Sequence, residues 1–448
     1  MPISDVEICK EVGQAEHSML NSLTLRNVGP ASEIDLRFGE RLNLLTGDNG
    51  LGKSFLLDTI WWALTRTWPA EINQQLTSGK KALPHSQKAA SISAQFSVKS
   101  KREYRIDGEF SPRSQQWQVK PGRPPMPGLV FYAMSDGSFA AWDPARNYWK
   151  SSETPEEIAP RPPAYVFCPT EVWDGLKSED GKWLCNGLIR DWASWQKEKH
   201  QRYKNWKILL RHLSPTDDEI LVPGNLTRID LDDVRDMPTL RMPYGHSVPI
   251  VHASSGIKRI VALAYFLLWG WNEHRQATRL IRSAISNQVI FLIDEIESHL
   301  HPSWQQVIVS AILLLMGKLH KSAHIQLITA THSPLIMNSV EPLFNQGTDS
   351  WFNIELEKEE KKVVIRNAAF EKLGEADRWL TGPAFGLSST RARPYHQLLK
   401  DASELFYKKK RTKKEIEVMT SRLVEALDSL DPFLVRWNFL CAAEGLIK

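Results

Sequence analysis

The sequence predicts an α/β protein built on a mixed, largely parallel core sheet, and three observations lead there. Apolar strand-like runs at residues 42–45, 288–293 and 324–330 alternate with helical patterns, which is how parallel sheets with crossover helices are encoded. The first run leads into Gly47-Asp48-Asn49-Gly50-Leu51-Gly52-Lys53-Ser54 and then the apolar helix pattern of Phe55, Leu56, Leu57, Ile60, Trp61 and Leu64. This is G-x-x-x-x-G-K-S between a strand and a helix, the setting a phosphate-binding P-loop requires. The two later runs end in reactive residues, Asp294-Glu295 after one and Thr331-His332-Ser333-Pro334 after the other.

Taken in order, residues 22–26 and 34–38 read as strands joined by a Gly29-Pro30 turn, and a third strand feeds the P-loop. The helix after it is expected to run to about Arg66, ahead of Pro69. Alternating segments between residues 90 and 119 predict an antiparallel lobe beside the nucleotide core. Proline-rich stretches at 120–128 and 154–163 bound loops, with strands at 129–132 and 165–167. A helical and loop-rich insert follows over about 175–250, with Trp192, Trp195 and Trp206 expected in its core. An apolar helix spans 260–271, and the chain beyond about Leu373 is mainly helical. These divisions suggest an ATPase domain over 1–370 and a helical, partner-binding region over 371–448.

With 448 residues and a net charge of +4, the chain has material for a sizeable core and no global bias toward nucleic acid. Cys9, Cys168, Cys185 and Cys441 are scattered and form no C-x-x-C pair, which suits a reduced cytoplasmic protein without structural zinc. No signal peptide and no membrane span is expected. The basic run at 408–414 reads as a solvated helix face, with contact to phosphates or an acidic partner as the alternative.

Phosphate chemistry explains the motif residues. The glycines let successive N–H groups of residues 47–52 face phosphate oxygens, and the helix start adds positive potential. Lys53 is expected on the β- and γ-phosphates, while Ser54 and Asp294 are expected to hold Mg²⁺. Glu295 is the expected general base for water, and His332 the expected γ-phosphate sensor. Ser254-Ser255-Gly256 at a helix start is a second anion-binding terminus, which implies a nucleotide sandwiched between two copies of the chain.

Together the P-loop, Ser254-Ser255-Gly256, Asp294-Glu295, His299-Leu300-His301-Pro302 and Thr331-His332-Ser333-Pro334 resemble the ABC/SMC-type ATPase head, in the compact form of RecF, Rad-type repair ATPases and OLD proteins. The resemblance implies a Walker A motif at residues 47–54 and Walker B with its catalytic glutamate at Asp294 and Glu295. It implies the signature at 254–256, the D-loop at 298–301 and the H-loop at His332. The family signature is S-G-G, so Ser255 departs from it, and no Q-loop glutamine stands out. Residues 186–192, 248–256 and 331–336 are further similar to a bacterial ATPase group of anti-phage defence, the PtuA group of Septu and related retron systems. That resemblance implies an ATP- and Mg²⁺-dependent sensor working with a separately encoded nuclease, HNH-type in Septu, and assembling as a homodimer or larger oligomer. Nucleic acid is a further partner it allows. The 116 residues after His332 carry no D-x-D pattern for a nuclease domain, and the alternative reading is a RecF-like DNA repair ATPase that binds DNA directly.

Overall fold

The protein's structure, a computed structural model, describes residues 18–98, 103–119, 127–147, 162–319, 323–357, 359–408 and 411–446. Cys9, most of the two proline-rich loops, and Lys409 and Lys410 lie outside these residues. The chain forms two compact units, residues 1–376 and 377–448.

In the first unit, strands β1 (Ser18–Arg26), β2 (Glu33–Arg37) and β3 (Leu42–Gly47) lead to helices α1 (Lys53–Thr65) and α2 (Pro69–Ile72). Then come β4 (Ser91–Val98), β5 (Glu103–Ser111), β6 (Gln116–Val119), β7 (Leu129–Ala133), β8 (Phe139–Trp142) and β9 (Tyr165–Phe167). The insert holds α3 (Pro169–Asp174), β10 (Leu176–Lys177), β11 (Trp183–Cys185), α4 (Leu188–Lys197) and α5 (Gln201–His212). Three short strands, β12 (Val222–Pro223), β13 (Thr239–Arg241) and β14 (Ser247–Pro249), pair within the stretch expected to be loop-rich. After the long α6 (Ser255–Leu280) come β15 (Gln288–Ile293), α7 (Pro302–Gln305), α8 (Ile308–Leu319), β16 (His324–Ala330), α9 (Pro334–Val340), β17 (Asp349–Glu357), β18 (Lys362–Asn367) and the start of α10 (Ala376–Thr381).

The core sheet has eight strands in the order β18-β17-β3-β16-β15-β7-β8-β9. Its five central strands, β17 to β7, run parallel, and antiparallel strands finish both edges. Every residue of β3, β15 and β7 is buried, the continuous apolar pattern of strands covered on both faces. The second sheet, β2-β1-β4-β5-β6, is wholly antiparallel. This is the α/β class predicted, with its antiparallel lobe and helical insert.

Helix α1 is apolar around nearly its whole circumference because its core joins both sheets. Leu56, Leu57, Ile60 and Trp61 belong to one cluster with Leu23, Leu25, Ile92 and Ala94 of the lobe and Ile290, Leu292 and Ile328 of the core sheet. Each such side chain contributes roughly 1.5–3 kcal/mol by leaving water, so this helix has a fixed place. Trp62 stacks on Trp68 at 5.7 Å, extending the packing toward the lobe. At the other end of β3, the Arg41 guanidinium meets the fully buried Asp349 carboxylate at 3.0 and 2.5 Å, tying β3 to β17. Trp192, Trp195 and Trp206 are buried, as their spacing predicts, with the first and last rings 5.0 Å apart.

The second unit, beyond the rest of α10, packs α11 (Arg393–Tyr407), α12 (Lys413–Ala426) and α13 (Pro432–Ala443) around Phe406, Ile416, Leu423 and Trp437. The basic run at 408–414 is not one helix face. Lys408 caps the end of α11, and Thr412 and Glu415 form a reciprocal capping box that starts a new helix. Arg411 pairs with Glu444 and donates to the Phe406 carbonyl. Among the described residues no helix is long and apolar enough to cross a membrane, and Cys168, Cys185 and Cys441 form no disulfide.

Candidate nucleotide-hydrolysis site

Parallel strands place their carboxyl ends along one edge, where loops can converge on a ligand. Here the ends of β3, β16, β15 and β7 are stitched together by backbone bonds. Thr331 N–H donates to Leu45, Ile296 N–H to Ala330, and Asp294 N–H to Ala133. Each residue expected to act on nucleotide except the signature trio lies on one of these strand ends or on the start of α1.

The P-loop conformation requires glycine at two positions in particular. Gly47 has φ 140°, and a Cβ there would meet the Ile354 carbonyl at 2.3 Å. Gly52 has φ 96° and would strike Pro30 at 2.7 Å. With those turns made, Asp48, Asn49, Gly50 and Leu51 complete the loop, and Lys53 folds back so that its ammonium donates to the Gly47 and Asp48 carbonyls at 2.7 and 2.8 Å. Burial lowers the Lys53 pKa, against the pull of Asp294, Asp48, Glu297 and Glu295. The side chain is thus a buried cation held by neutral oxygens within a ring of acids.

Asp294 is 2% exposed, and burial pushes its carboxyl up, while hydrogen bonds from the Ser54 and Ser135 side chains oppose that. Its Oδ1 is buried without a hydrogen-bond partner. A carboxylate oxygen left open beside a hydroxyl is a donor set of the hard, oxygen-only kind that Mg²⁺ prefers. Glu295 follows in a positive-φ conformation, 48°, and is half-buried.

His332 is half-buried, and burial together with the Lys53 charge lowers its pKa, which favours the neutral ring. Its position is fixed by a residue the sequence reading did not single out. Glu297 accepts from the His332 N–H at 2.5 Å and from the Thr331 hydroxyl at 2.8 Å. Ser333 then caps α9, accepting from the N–H groups of Leu335 and Ile336.

The signature trio sits at the start of α6. Ser254 is the N-cap, accepting from Ile257 N–H at 3.4 Å, and Ser254 and Ser255 are both exposed. Gly256 is buried against the turn after β15, where a Cβ would come within 2.6 Å of the His299 carbonyl. The structure therefore joins this trio to the 298–301 turn, and it leaves the two serine hydroxyls facing outward.

Four more residues lie near Asp294 without any motif to announce them. Ser135 and Asp136 occupy the loop after β7, the strand that pairs with β15, and the Ser135 side chain hydrogen-bonds Asp294. Arg259 is half-buried, with its guanidinium donating to the Met134 carbonyl at 2.7 Å and feeling Asp136, Asp294 and Glu295. Asp58, one helical turn beyond Ser54, accepts from the Tyr132 hydroxyl at 2.8 Å, and burial raises its pKa to about 7. A lone acid in the apolar run of α1 was the available signal for the last of these.

Comparison with known proteins came out as follows. Residues 42–338 match the family described as "AAA domain, putative AbiEii toxin, Type IV TA system". The chain is similar to the Retron Vc95 probable ATPase of Vibrio cholerae serotype O1 biovar El Tor, 32% identical over 173 residues. That alignment covers 37% of this chain and 30% of the relative, so less than a third of the relative's length is spanned. Among solved structures, the SMC head domain from Thermotoga maritima is similar at TM-score 0.38 and 16% identity, covering 78% of this chain and 99% of that one. The recombination mediator protein RecF in its ATPrS structure is similar at TM-score 0.39 and 14% identity, covering 80% and 100%. Likeness at that level says nothing of chemistry or partners.

Proposed function

The chain belongs to the AAA-domain family that matches residues 42–338, and from that membership we propose an ATP-hydrolysing regulatory subunit of a bacterial anti-phage defence system, acting on a separately encoded nuclease. The observation that carries the ATPase part is the pairing of Ser54 with Asp294, whose Oδ1 stays open beside a buried Lys53. Ser54 and Asp294 would hold Mg²⁺, which when bound neutralises charge on the β- and γ-phosphates. The N–H groups of residues 47–52 bind phosphate oxygens, and Lys53 exchanges its carbonyl partners for them. Glu295 orients the attacking water and takes its proton, and neutral His332 contacts the γ-phosphate.

The outward hydroxyls of Ser254 and Ser255 suit the phosphate of a second copy, giving a homodimer or larger assembly closed by nucleotide. The defence role draws its support from the likeness to a retron ATPase and from the segments at 186–192, 248–256 and 331–336. The C-terminal unit, with Val418, Val435 and Phe439 exposed, is the surface we assign to the nuclease, HNH-type in this reading. A second reading, a RecF-like repair ATPase gripping DNA directly, is favoured by one feature. A groove of about 210 Å³ on the antiparallel sheet is lined by Ser22, Thr24, Arg26, Ser93, Gln95 and Arg105.

The deciding experiment is plasmid cleavage in Mg²⁺ by the chain alone and by the chain copurified with its operon neighbour, each with and without ATP. Cleavage by the complex only, changing with ATP, is the expected result. No cleavage by either preparation, with hydrolysis stimulated by DNA and weakened by salt, would move the assignment to the second reading.

A further inference from the structure

Away from the strand ends, helices α4, α5 and α6 and strand β11 line two adjoining cavities that the proposed hydrolysis of ATP does not use. The outer one, of about 520 Å³, lies within the usual size of a small-molecule site and is lined by Arg202, Arg275, Arg279 and His200, with no carboxylate. Among the described residues none of these three guanidiniums forms an ion pair. Several like charges facing one cavity repel each other, and an anion relieves that repulsion.

The inner cavity, of about 150 Å³, has walls that include Trp183, Trp195 and Trp269. It holds two carboxylates of different standing. Asp191 is occupied, accepting from Asn186 at 2.9 Å and from the Tyr265 hydroxyl at 2.8 Å. Among the described residues no group donates a hydrogen bond to Glu273. Burial raises its pKa, against the charges of Arg146 and Arg202. Asn272, shared by both cavities with Arg202, is 9% exposed, and its amide Nδ2 is buried with no acceptor. Buried donors in folded proteins are nearly always satisfied, so this one marks a place for an acceptor that the chain does not provide.

An open carboxylate, an orphan amide donor, aromatic walls and a cationic outer chamber fit one kind of ligand. We propose that the α4–α6 cavities bind a guanine nucleotide. The base enters the inner chamber, where Glu273 accepts from its two adjacent N–H groups and Asn272 donates to its carbonyl oxygen. Its phosphate lies in the outer chamber among Arg275, Arg279 and Arg202, with arginine forks matching phosphate oxygens. The recognised chemistry is the same whether the ligand is a free mononucleotide or the terminal nucleotide of a strand. No residue of this site belongs to the P-loop or the strand ends, so the inference stands apart from the proposed ATPase.

Calorimetric titration of the full chain carrying Lys53→Ala, which silences the P-loop, tests it with four probes. They are GMP, AMP, inorganic phosphate and a 5′-phosphorylated single strand beginning with guanine. GMP is expected to bind at least tenfold more tightly than AMP or phosphate, and Arg275→Ala with Arg279→Ala is expected to weaken it tenfold or more. Glu273→Gln should lower GMP affinity while leaving AMP little changed, a readout that holds even if the double arginine variant folds poorly. Binding of the strand but not of GMP, lost on replacing its terminal guanine by adenine, assigns the site to a strand end. Absence of binding by both GMP and the strand overturns the proposal, as does equal binding of GMP, AMP and phosphate or indifference to all these substitutions.

Discussion

The strand-end site and the α4–α6 chamber hold polar groups by opposite means. At the strand ends, a hydrogen-bonded ladder fixes the backbone, and the function we propose draws on N–H groups and a few carboxylates whose places the ladder dictates. In the chamber, three helices and β11 meet side by side, and the reactive groups are the leftovers of packing, Glu273 open and Asn272 unpaired. The contrast teaches that geometry set by backbone is carried in contiguous motifs. Geometry set by helix packing is scattered through the chain in residues that look ordinary one at a time.

The comparison can be broken most strongly at Lys53. Lys53→Ala removes the single cation inside the P-loop, and calorimetry is expected to show ATP binding abolished; unchanged affinity would remove the P-loop from the account. A smaller effect is expected from Glu295→Gln. ATP should still bind, turnover should fall by roughly 10²–10⁴-fold, and any ATP-dependent dimer should persist in size-exclusion chromatography. Turnover equal to wild type would place the general base elsewhere.

The smallest effect concerns stability. The Asp58 carboxyl has a folded pKa raised to about 7 by burial, above its ordinary value near 3.8. Its ionised form is therefore disfavoured by folding. Stability is full below about pH 4, declines as pH rises through the window to about 7, and then levels off. Asp58→Asn removes this dependence, so the melting temperature of the variant relative to wild type should climb by a few degrees between pH 4 and 7 and stay constant above. A difference independent of pH would show that Asp58 is ionised throughout.

Much of the strand-end site was readable because Asp294, Glu295 and His332 follow apolar runs, Lys53 sits in a contiguous glycine motif after another, and apolar runs predict strands. The fold class followed from the same alternation. Glu297 escaped because its part is to accept one hydroxyl and one backbone N–H from a loop 34 and 35 positions away, and no spacing rule reports such a pairing. Ser135 was hidden likewise, since only the adjacency of β7 to β15 sets it beside Asp294. The basic run near residue 410 misled because charge pattern was read without the Thr412 and Glu415 capping box that starts a helix within it. In the chamber, Trp195 and Trp269 were legible only as apolar bulk, and the orphaned amide of Asn272 exists only after the helices meet.

The turn after β15 has a mechanical consequence. One end of it, Glu297, holds the Thr331 hydroxyl and the His332 N–H, and the other, His299, abuts Gly256 with no room for even a methyl group. The turn is thus a short connecting rod between the loop bearing His332 and the head of α6. A displacement of His332 beyond the slack of two hydrogen bonds must either snap that coupling or push on α6. The outward serines at 254 and 255 ride on the far end of the rod, so the surface they present is geared to the position of a histidine they never touch.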